Sequence, residues 1–265
     1  MVRKSLQPPS EHPPHSVFIM MLSISSSSQA GLRKWLQGLV LLVCAVLSGC
    51  ATGPVADSGD PRDPFESFNR KVDAFNTTVD EAVVKPVATT YRDITPSPVR
   101  THIGNFFGNL SDIWSTLNTA LQLRGEDTAN NVLRVSVNTV FGFVGLLDIA
   151  TEMNLYRTPA DFGQTLGRWG VPPGPYLVLP VLGPSTVRDT LGRSIEQSGD
   201  LIWNLDHIPT RNSLFGLRLV ETRASLLRAT SMLDEAALDK YSFTRDVFLQ
   251  RRQSQVDAVR QTDDE

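Results

Sequence analysis

The stretch Asp63–Val83, with the sequence DPFESFNRKVDAFNTTVDEAV, decides the fold class of this chain. Asp63 can cap a helix, Pro64 suits the first helical position, and Glu66 can reach back to the cap. Apolar residues then recur at steps of three and four, which is the spacing of one helix face. The residues of this face are Phe65, Phe68, Val72, Phe75, Val79, Ala82 and Val83. The pattern predicts a helix that packs through this face and that Pro86 ends.

Similar patterns predict further helices in the first half of the chain. Ser97, followed by a proline, begins one of them, and Ser111 can cap the next, which Gly125 closes. Gly104 and Gly108 form a G-x-x-x-G step. In a short segment that also contains charged residues, this spacing favours close helix packing over dimerisation in a membrane.

Helical spacing returns in the second half, from Leu214 to Leu227 and again from near Asp234. Sustained strand alternation and internal repeats are both lacking in the sequence. We therefore predict an all-α fold with a single helical domain over residues 63–250. Residues 251–265 are expected to form an exposed, frayed polar tail.

Composition excludes some functions and indicates a compartment. The chain has 265 residues and a formal net charge of -3, so no basic field favours nucleic acid as a partner. Arg33 and Lys34 precede an apolar run of about 12 residues, Leu36–Leu47, which is too short to span a bilayer. These are the parts of a secretory signal.

The run ends in Leu-Ser-Gly-Cys, residues 47–50, which resembles the bacterial lipobox. That resemblance implies that the Cys50 thiol receives a diacylglyceryl group, that the chain is cut between Gly49 and Cys50, and that the new amine is acylated. Ala51 implies sorting to the outer membrane, where Asp would retain the protein at the inner membrane. The alternative is a short core helix that ends in a free cysteine.

These observations divide the N-terminal part of the chain. Residues 1–49 are predicted to be a signal peptide, and residues 50–62 a lipidated, flexible tether. The first 20 residues are polar and contain proline, unlike the start of a signal peptide. Translation is therefore expected to start at Met20 or Met21.

Two uncharged segments are interrupted by glycine or proline. Residues 135–147 are too few to cross a bilayer as one helix, but they could form a hairpin that dips into a membrane; a buried core hairpin is the alternative. The second segment, GVPPGPYLVLPVLGP, spans Gly170–Pro184. It is too apolar for a solvated loop, so we expect it beside the bilayer or along an amphipathic passage.

The chain contains no motif that indicates chemistry. After Cys50 the histidines are His102 and His207, which lie far apart and outside any metal-ligand pattern. Nucleophile-elbow, phosphate-loop and CxxC motifs are all missing from the sequence. Only Asp161 or Asp189 could support an enzymatic reading, so we expect neither enzymatic activity nor a metal or other cofactor.

Four motifs are similar to those of the MlaA (VacJ) lipoproteins. They are DPFESFNRKVDAFN at 63–76, KPVATTYRDITPSPVR at 85–100, RTPADFGQTLGRWGVPPGPYLVLPVLGPSTVRD at 157–189 and ETRASLL at 221–227. The likeness covers nearly all of residues 61–250 in order. It implies a ring-shaped, mostly helical protein in the inner leaflet of the Gram-negative outer membrane, with a central amphipathic channel.

The resemblance also implies a function and partners. Phospholipids that have strayed into the outer leaflet would pass through the channel to a soluble periplasmic carrier, MlaC, and then to an ATP-driven complex in the inner membrane. A trimeric porin would be a neighbour. Two alternatives stay open: a structural porin-associated lipoprotein without a transport role, and a lipid-modifying enzyme.

The family pattern assigns roles to the two uncharged segments. Val137–Ala150 takes the place of a flexible hairpin near the channel, with Gly142 and Gly145 as hinges. The hairpin candidates are Val140, Phe141, Gly142, Phe143, Val144, Gly145, Leu146 and Leu147. The candidates for the channel rim are Gly170, Pro172, Pro173, Gly174, Pro175, Tyr176 and Pro180. The short C-terminal tail puts a tail-mediated contact with the carrier in doubt.

Overall fold

The computed structural model describes residues 59–261. The helices are α1 Glu66–Val79, α2 Lys85–Ile94, α3 Ser97–Leu121, α4 Gly125–Val140, α5 Ile149–Glu152, α6 Phe162–Arg168, α7 Val187–Gly199, α8 Ile208–Ala236 and α9 Lys240–Gln261. Two short strands, β1 Tyr176–Leu179 and β2 Gly183–Thr186, lie between α6 and α7. The prediction of a mostly helical fold is confirmed. None of the helices between residues 59 and 261 has the length and apolar character that crossing a bilayer requires.

The first helix begins later and continues further than the sequence suggests. Phe65 is its N-cap, because the buried Asp63 carboxylate instead accepts hydrogen bonds from Tyr241 and Asn69. The prediction that Pro86 ends the helix is wrong. A π-helical turn, Asp80–Val84, joins α1 to α2, and Pro86 lies in the first turn of α2. We infer that this wider turn accommodates the ring and the missing N–H of proline.

The two helices predicted around Ser111 are one helix of 25 residues, α3. Ser111 does not cap, because its hydroxyl donates to the Phe107 carbonyl one turn earlier. The two glycines of α3 admit side chains from elsewhere in this chain. A methyl group at Gly104 would contact the Glu221 carboxylate of α8, and one at Gly108 would collide with the Arg157 guanidinium.

The sequence did not predict the two strands. Tyr176 pairs with Thr186, and Leu179 pairs with Gly183, in an antiparallel hairpin. Side chains of α1 cover the free edge of β1. The Asn69 amide donates to the Tyr176 carbonyl and accepts from the Val178 N–H, at 3.0 and 2.9 Å. Asn76 bonds Leu179 and Val181 in the same way.

Two small apolar clusters hold the helices and the hairpin together. Tyr176 and Val178 of β1 pack with Tyr241 of α9, and we call this group the tyrosine core. The Tyr176 and Tyr241 rings meet edge to face at 6.2 Å. A second cluster joins Ala88 of α2 to α8, through Ala224 and Leu227.

The described part of the predicted polar tail is helical, while the predicted domain boundary at residue 250 stays a prediction. Residues 251–261 continue α9 rather than forming a frayed tail. Val256 and Val259 are buried, and Arg252 forms ion pairs with residues outside α9. The many charged residues of this segment suggested a solvated tail. Long basic side chains such as that of Arg252 can nevertheless pack against neighbouring elements, because their charged ends reach partners there.

Candidate functional site

A set of buried polar side chains lies where α3 and α4 pack together, and we call it the polar seam. Its members are Asn109, Asp112, Ser115, Asn118 and Thr119 of α3, Gln122 at the C-cap of α3, and Asn131, Arg134 and Asn138 of α4. Their spacing places each set on one face of its helix. In a water-soluble helix pair the residues at such a contact are mostly apolar. Between α3 and α4 the contact is polar instead.

Arg134 is the centre of the seam, with only 1% of its surface exposed. Its guanidinium lies 3.1 Å from the Asp148 carboxylate and 3.5 Å from that of Asp112, and it also bonds the Thr151 hydroxyl. Burial opposes ionisation of Asp148, but hydrogen bonds from Thr151 and Asn138 and the charge of Arg134 lower its pKa to about 2. Such a network is stable only while its members are paired.

The outward faces of the same two helices are apolar. Leu117 of α3 is 47% exposed, and Leu133 and Val140 of α4 are 51% and 70% exposed. The apolar face of α1 is also open, with Phe68 60% and Phe75 53% exposed. The sequence predicted correctly which residues share this face of α1, but the face was expected to be packed and several of its residues are exposed. Exposed apolar faces over a polar interior are the arrangement that a hydrocarbon environment favours.

The hairpin candidates form the last turn of α4 and the irregular turn after it. We call residues 141–148 the apolar turn. Phe141 and Phe143 are 67% and 71% exposed, and Val144 is 59% exposed. Phe143 and Val144 have positive φ angles of 51° and 60°, which non-glycine residues rarely adopt. A backbone bond from Val144 to Thr139 holds this conformation.

Both glycines of the apolar turn are buried points of close approach. A methyl group at Gly142 would collide with the carbonyl oxygens of Leu147 and Asn138. Gly145 has φ +89°, and a methyl group there would lie 2.5 Å from the Asn109 Cβ. The geometry thus gives both glycines a packing reason, while their role as hinges stays a prediction. The Leu146 carbonyl also meets the His102 ring nitrogen at 3.1 Å, which fixes the turn to α3.

The rim candidates are in several environments. Gly170 and Gly174 have φ angles of +92° and +67°, and the chain from residue 170 to residue 174 is exposed. Pro173, Gly174 and Pro175 line a cavity of about 740 Å³. Pro172 is exposed, Tyr176 lies in the tyrosine core, and Pro180 is exposed at the tip of the hairpin. The strand pairing of the hairpin explains why the second part of this segment, from Tyr176, is not helical, while residues 170–175 form an irregular loop.

A separate cavity of about 630 Å³ is built from side chains of distant segments, and we call it the aromatic cavity. Its apolar wall includes Leu110, Trp114, Leu182, Trp203, Phe215 and Phe248. Its charged lining residues are Asp161, Arg193, Glu196, Asp200, Arg218, Arg251 and Arg252. This composition suits a ligand with both an apolar and a charged part.

Several charged residues of the aromatic cavity are bound to each other. Arg252 bridges two carboxylates, at 2.6 Å from Asp161 and 2.8 Å from Asp189. Burial opposes ionisation of Asp189, but the bond and charge of Arg252 still lower its pKa. Arg218 pairs with Asp200 at 2.9 Å. The two carboxylates that could have supported an enzymatic reading are thus held by one arginine of α9.

Glu196 is the remaining carboxylate of the aromatic cavity. It accepts hydrogen bonds from the Phe162 N–H at 2.5 Å and from the Asn118 amide at 3.4 Å. Burial raises the pKa of Glu196, against the weaker opposing effect of the Phe162 bond. Glu196 therefore connects the cavity to the polar seam.

The sequence prediction missed the aromatic cavity almost entirely. None of the hairpin candidates lies among the residues that line it, and from Gly170–Pro184 only Leu182 does. Its lining residues come from α3, α6, α7, α8, α9 and the intervening segments, so no short motif contains them. Its aromatic residues Trp114, Trp203 and Phe215 come from three separate segments, so the sequence did not indicate that they meet.

The histidines, to which the sequence assigned no functional role, lie outside this cavity. His207 caps α8 by accepting from the Thr210 N–H. Among residues 59–261 no group of histidine, cysteine and carboxylate side chains could hold a metal ion. Gly49, Cys50 and the predicted signal peptide and tether lie outside the described residues, except for residues 59–62.

Comparisons with known proteins agree with this fold. The sequence profile of the MlaA lipoproteins matches residues 61–255. A Shigella flexneri protein named intermembrane phospholipid transport system lipoprotein MlaA is 36% identical over 210 residues, 78% of this chain and 82% of its own length. An uncharacterized Rickettsia typhi protein is 40% identical over 127 residues, 48% of this chain, and the match spans about half of that relative, 51%.

A solved structure reported as the structural basis for maintenance of bacterial outer membrane lipid asymmetry has the same fold. It is 33% identical, with a TM-score of 0.65, and the match covers 73% of this chain and 98% of that one. The fold and the site define a mostly helical protein with a buried polar seam, exposed apolar helix faces and an amphipathic cavity. The chain belongs to the MlaA lipoprotein family.

Proposed function

We propose that this chain is an outer-membrane lipoprotein that removes misplaced phospholipids from the outer leaflet and passes them to a periplasmic carrier. Membership of the MlaA family supports this function, as do the names of the Shigella flexneri and Escherichia coli relatives, which refer to intermembrane phospholipid transport. The work would be binding and passage of the lipid, so no covalent step is needed.

The observation that carries the proposal is the aromatic cavity. Its wall of Trp114, Trp203 and Phe215 suits acyl chains, while its arginines suit the phosphate of a headgroup. A phospholipid presents these two chemistries within one molecule. The ring-shaped arrangement around a central channel, with the apolar turn beside it, stays part of the proposal.

The exposed apolar faces support a position within the inner leaflet of the outer membrane. Phe68 and Phe75 of α1 and the apolar turn could contact acyl chains or the surface of a trimeric porin, and both contacts would cover apolar area. The proposed acyl chains on Cys50 would add an anchor, since several chains together bind a membrane stably.

Filling the cavity tests the transport role. In a deletion strain complemented with this chain, Gln197→Trp places a large ring at the cavity wall, where Gln197 is exposed. Ser194→Trp places the same ring on an exposed position of α7 that does not line the cavity. We expect phospholipid to accumulate in the outer leaflet with Gln197→Trp but not with Ser194→Trp, at equal protein levels.

The same experiment separates transport from a purely structural role beside a porin. If Gln197→Trp keeps both porin association and full lipid asymmetry, the cavity is not a lipid path and the structural alternative is favoured. A lipid-modifying enzyme would release fatty acid or a headgroup from phospholipid in an assay of the purified protein. Turnover abolished by Asp161→Asn would support that alternative.

The anchor has its own test. Mass spectrometry of the mature protein should show acyl chains at Cys50, and Cys50→Ala should leave an uncleaved or misplaced precursor. Ala51→Asp should hold the protein at the inner membrane in a host that follows the usual sorting rule. Equal fractionation of the two forms would refute the sorting step while leaving the lipid anchor intact.

A further inference from the structure

A small cavity lies where α2, α3 and α8 meet, and we call it the polar cavity. Its volume is about 310 Å³, which holds about ten water molecules. A lipid headgroup could enter a space of this size, but two acyl chains could not. Its lining includes Tyr91 of α2, Ser97, Arg100 and Asn105 of α3, and Glu221 of α8.

Two of the four motifs shared with the MlaA family meet at the polar cavity. Tyr91 and Arg100 belong to KPVATTYRDITPSPVR, and Glu221 begins ETRASLL. These motifs come from opposite halves of the chain, and no residue of either one lines the aromatic cavity. The polar cavity therefore brings together sequence features that the proposed lipid path through the aromatic cavity leaves unexplained.

Arg100 and Glu221 are the charged side chains of the polar cavity, and both are half-buried. Arg100 donates through Nε to the Thr95 carbonyl at 3.2 Å. Within residues 59–261 its terminal nitrogens have no acceptor, and the Glu221 carboxylate has neither a donor nor an ion pair. Burial raises the pKa of Glu221, against the opposing effect of the Arg100 charge. The two groups are thus neighbours that do not pair with each other, and each has a free charged end.

The remaining wall is polar and borders the apolar turn. The Tyr91 hydroxyl is buried and has no hydrogen-bond partner in the part of the chain that the structure describes; such groups are few in native structures. The Asn105 amide donates to the Leu146 carbonyl of the apolar turn at 3.3 Å. A headgroup in the polar cavity would therefore lie next to a turn whose side chains, such as the 71% exposed Phe143, offer an apolar surface to an acyl chain.

An unpaired cation beside an unpaired anion is complementary to a zwitterion. Guanidinium groups bind phosphate through strong, charge-assisted hydrogen bonds, and carboxylates bind ammonium groups in the same way. The headgroup of phosphatidylethanolamine carries a phosphate and an ammonium group two carbons apart. An anionic headgroup, such as that of phosphatidylglycerol, would bring its phosphate close to Glu221 without a cation to offset the repulsion, which disfavours it.

We propose that the polar cavity is a second headgroup site, separate from the aromatic cavity, which binds phosphatidylethanolamine with Arg100 on the phosphate and Glu221 on the ammonium group. This inference rests on the proposed function, since it names the class of phospholipid that the protein takes. A free phosphoethanolamine group has the same chemistry, so the test includes it beside the lipid.

Tyr91 supplies a probe in the cavity wall. The acylated full-length mature protein is labelled with 3-fluorotyrosine and studied by fluorine NMR in non-ionic detergent. Its tyrosines are Tyr91, Tyr156, Tyr176 and Tyr241, and Tyr91→Phe identifies the Tyr91 resonance. The titrants are phosphatidylethanolamine, phosphatidylglycerol with the same acyl chains, and water-soluble glycerophosphoethanolamine. Unchanged Tyr176 and Tyr241 resonances show that a variant keeps its fold.

We expect phosphatidylethanolamine to shift the Tyr91 resonance with a midpoint at a mole fraction about fivefold lower than phosphatidylglycerol, since half-exposed charge pairs contribute modestly. Glu221→Gln should abolish this difference, and Arg100→Gln should raise the midpoint for both lipids. Glu235→Gln and Arg228→Gln make the same changes at exposed positions of α8 outside the polar cavity and should leave both midpoints unchanged.

The other outcomes overturn the proposal. Equal midpoints for the two lipids would refute the selectivity, and a preference that survives in Glu221→Gln would refute the role of that carboxylate. A shift caused by glycerophosphoethanolamine but by neither lipid would assign the site to a free headgroup. A Tyr91 resonance that responds to no titrant would refute the site.

A second measurement separates these failures from a failure of the proposed function. In Trp169→Phe the tryptophans of the mature chain are Trp114 and Trp203, which line the aromatic cavity. Brominated acyl chains that quench their fluorescence would show lipid at that cavity whatever the Tyr91 resonance does. Absence of quenching by either lipid would contradict the proposed function as well as this inference.

Discussion

The tyrosine core and the polar seam bury opposite kinds of side chain. In the tyrosine core the rings of Tyr176 and Tyr241 are buried, as in a water-soluble protein. In the polar seam amides, hydroxyls and Arg134 are buried while leucines and valines face outward. A single chain thus contains one region arranged for water and one arranged for an apolar surrounding. Which face of a helix pair turns inward therefore differs between these two regions of the same chain.

The two regions also differ in what a single substitution can destroy. The tyrosine core depends on contact area, which decreases gradually as atoms are removed. The polar seam depends on pairing, and removing one partner leaves a buried group without compensation. The seam is therefore expected to be the more sensitive region, and the following changes test that difference.

Arg134→Met should have the largest effect. The substitution keeps an apolar side chain but removes the guanidinium that pairs with Asp148 and contacts Asp112, which keeps its ion pair with Arg157 at 2.9 Å. We expect a loss of about 3–5 kcal/mol in the free energy of unfolding, as for other buried pairs that lose one partner. Denaturant unfolding in detergent micelles measures it. Arg92→Met removes an exposed pair with Asp93 and should cost less than about 1 kcal/mol; equal losses would contradict the comparison.

Gly142→Ala should follow, because the new methyl group would collide with two backbone carbonyls that cannot rotate away. We expect destabilisation by about 3 kcal/mol, the upper end for overpacking. Gly216→Ala is the matched control, since a methyl group there, in α8, has no neighbour within 4 Å. It should be neutral or stabilise by up to about 1 kcal/mol. If the two variants melt alike, the apolar turn opens freely and its glycines are hinges.

Asn69→Ala tests the other region. It removes the amide that donates to the Tyr176 carbonyl and accepts from the Val178 N–H. Two backbone groups of β1 therefore lose their hydrogen-bond partner. We expect a loss of about 2 kcal/mol. Asn76→Ala makes the same change near the exposed tip, where water can replace the amide, and should cost less. Thermal melts of both variants decide this, and a larger loss for Asn76→Ala would show that the edge of β1 is not protected as described.

The smallest effect should come from pH. The pKa of Asp148 is about 2 in the folded protein, below its ordinary value of 3.8. A lowered pKa stabilises the fold above the ordinary value, and this contribution is lost as the pH falls from about 4 to about 2. With its carboxylate 27% exposed, the contribution is about 1 kcal/mol. Asp148→Asn should be less stable at neutral pH, and the gap to the unmodified protein should narrow over that range. A stability difference between the two proteins that stays constant from about pH 4 to about pH 2 would contradict this role of Asp148.

Local patterns predicted much of the helical fold. The spacing of Phe65, Phe68, Val72 and Phe75 indicated α1 because a helix face is set by neighbours three and four residues apart. Pro86 and Ser111 misled for a related reason. Each has a strong local preference to end or begin a helix, but the π-helical turn and the packing of α3 override it.

Long-range features could not be predicted from local patterns. Asn69 covers the edge of β1 from 107 residues away, and nothing near residue 176 indicates that partner. The direction of the apolar faces depends on the surrounding medium, which no spacing reveals. The aromatic cavity combines side chains from many elements, so its residues become a set only in the folded chain. The family motifs indicated the function without indicating this cavity.

The start of the described fold is tied to the first turns of α9, and this limits how far the proposed anchor can lie from the fold. Asp60 pairs with Arg245 of α9 at 3.1 Å, and Asp63 accepts a hydrogen bond from Tyr241. If the predicted tether begins at Cys50, ten residues separate the anchor from Asp60. A chain of that length reaches at most about 35 Å. Lengthening or shortening the predicted tether would change how deeply the protein can lie in the membrane, without altering a contact of the described fold.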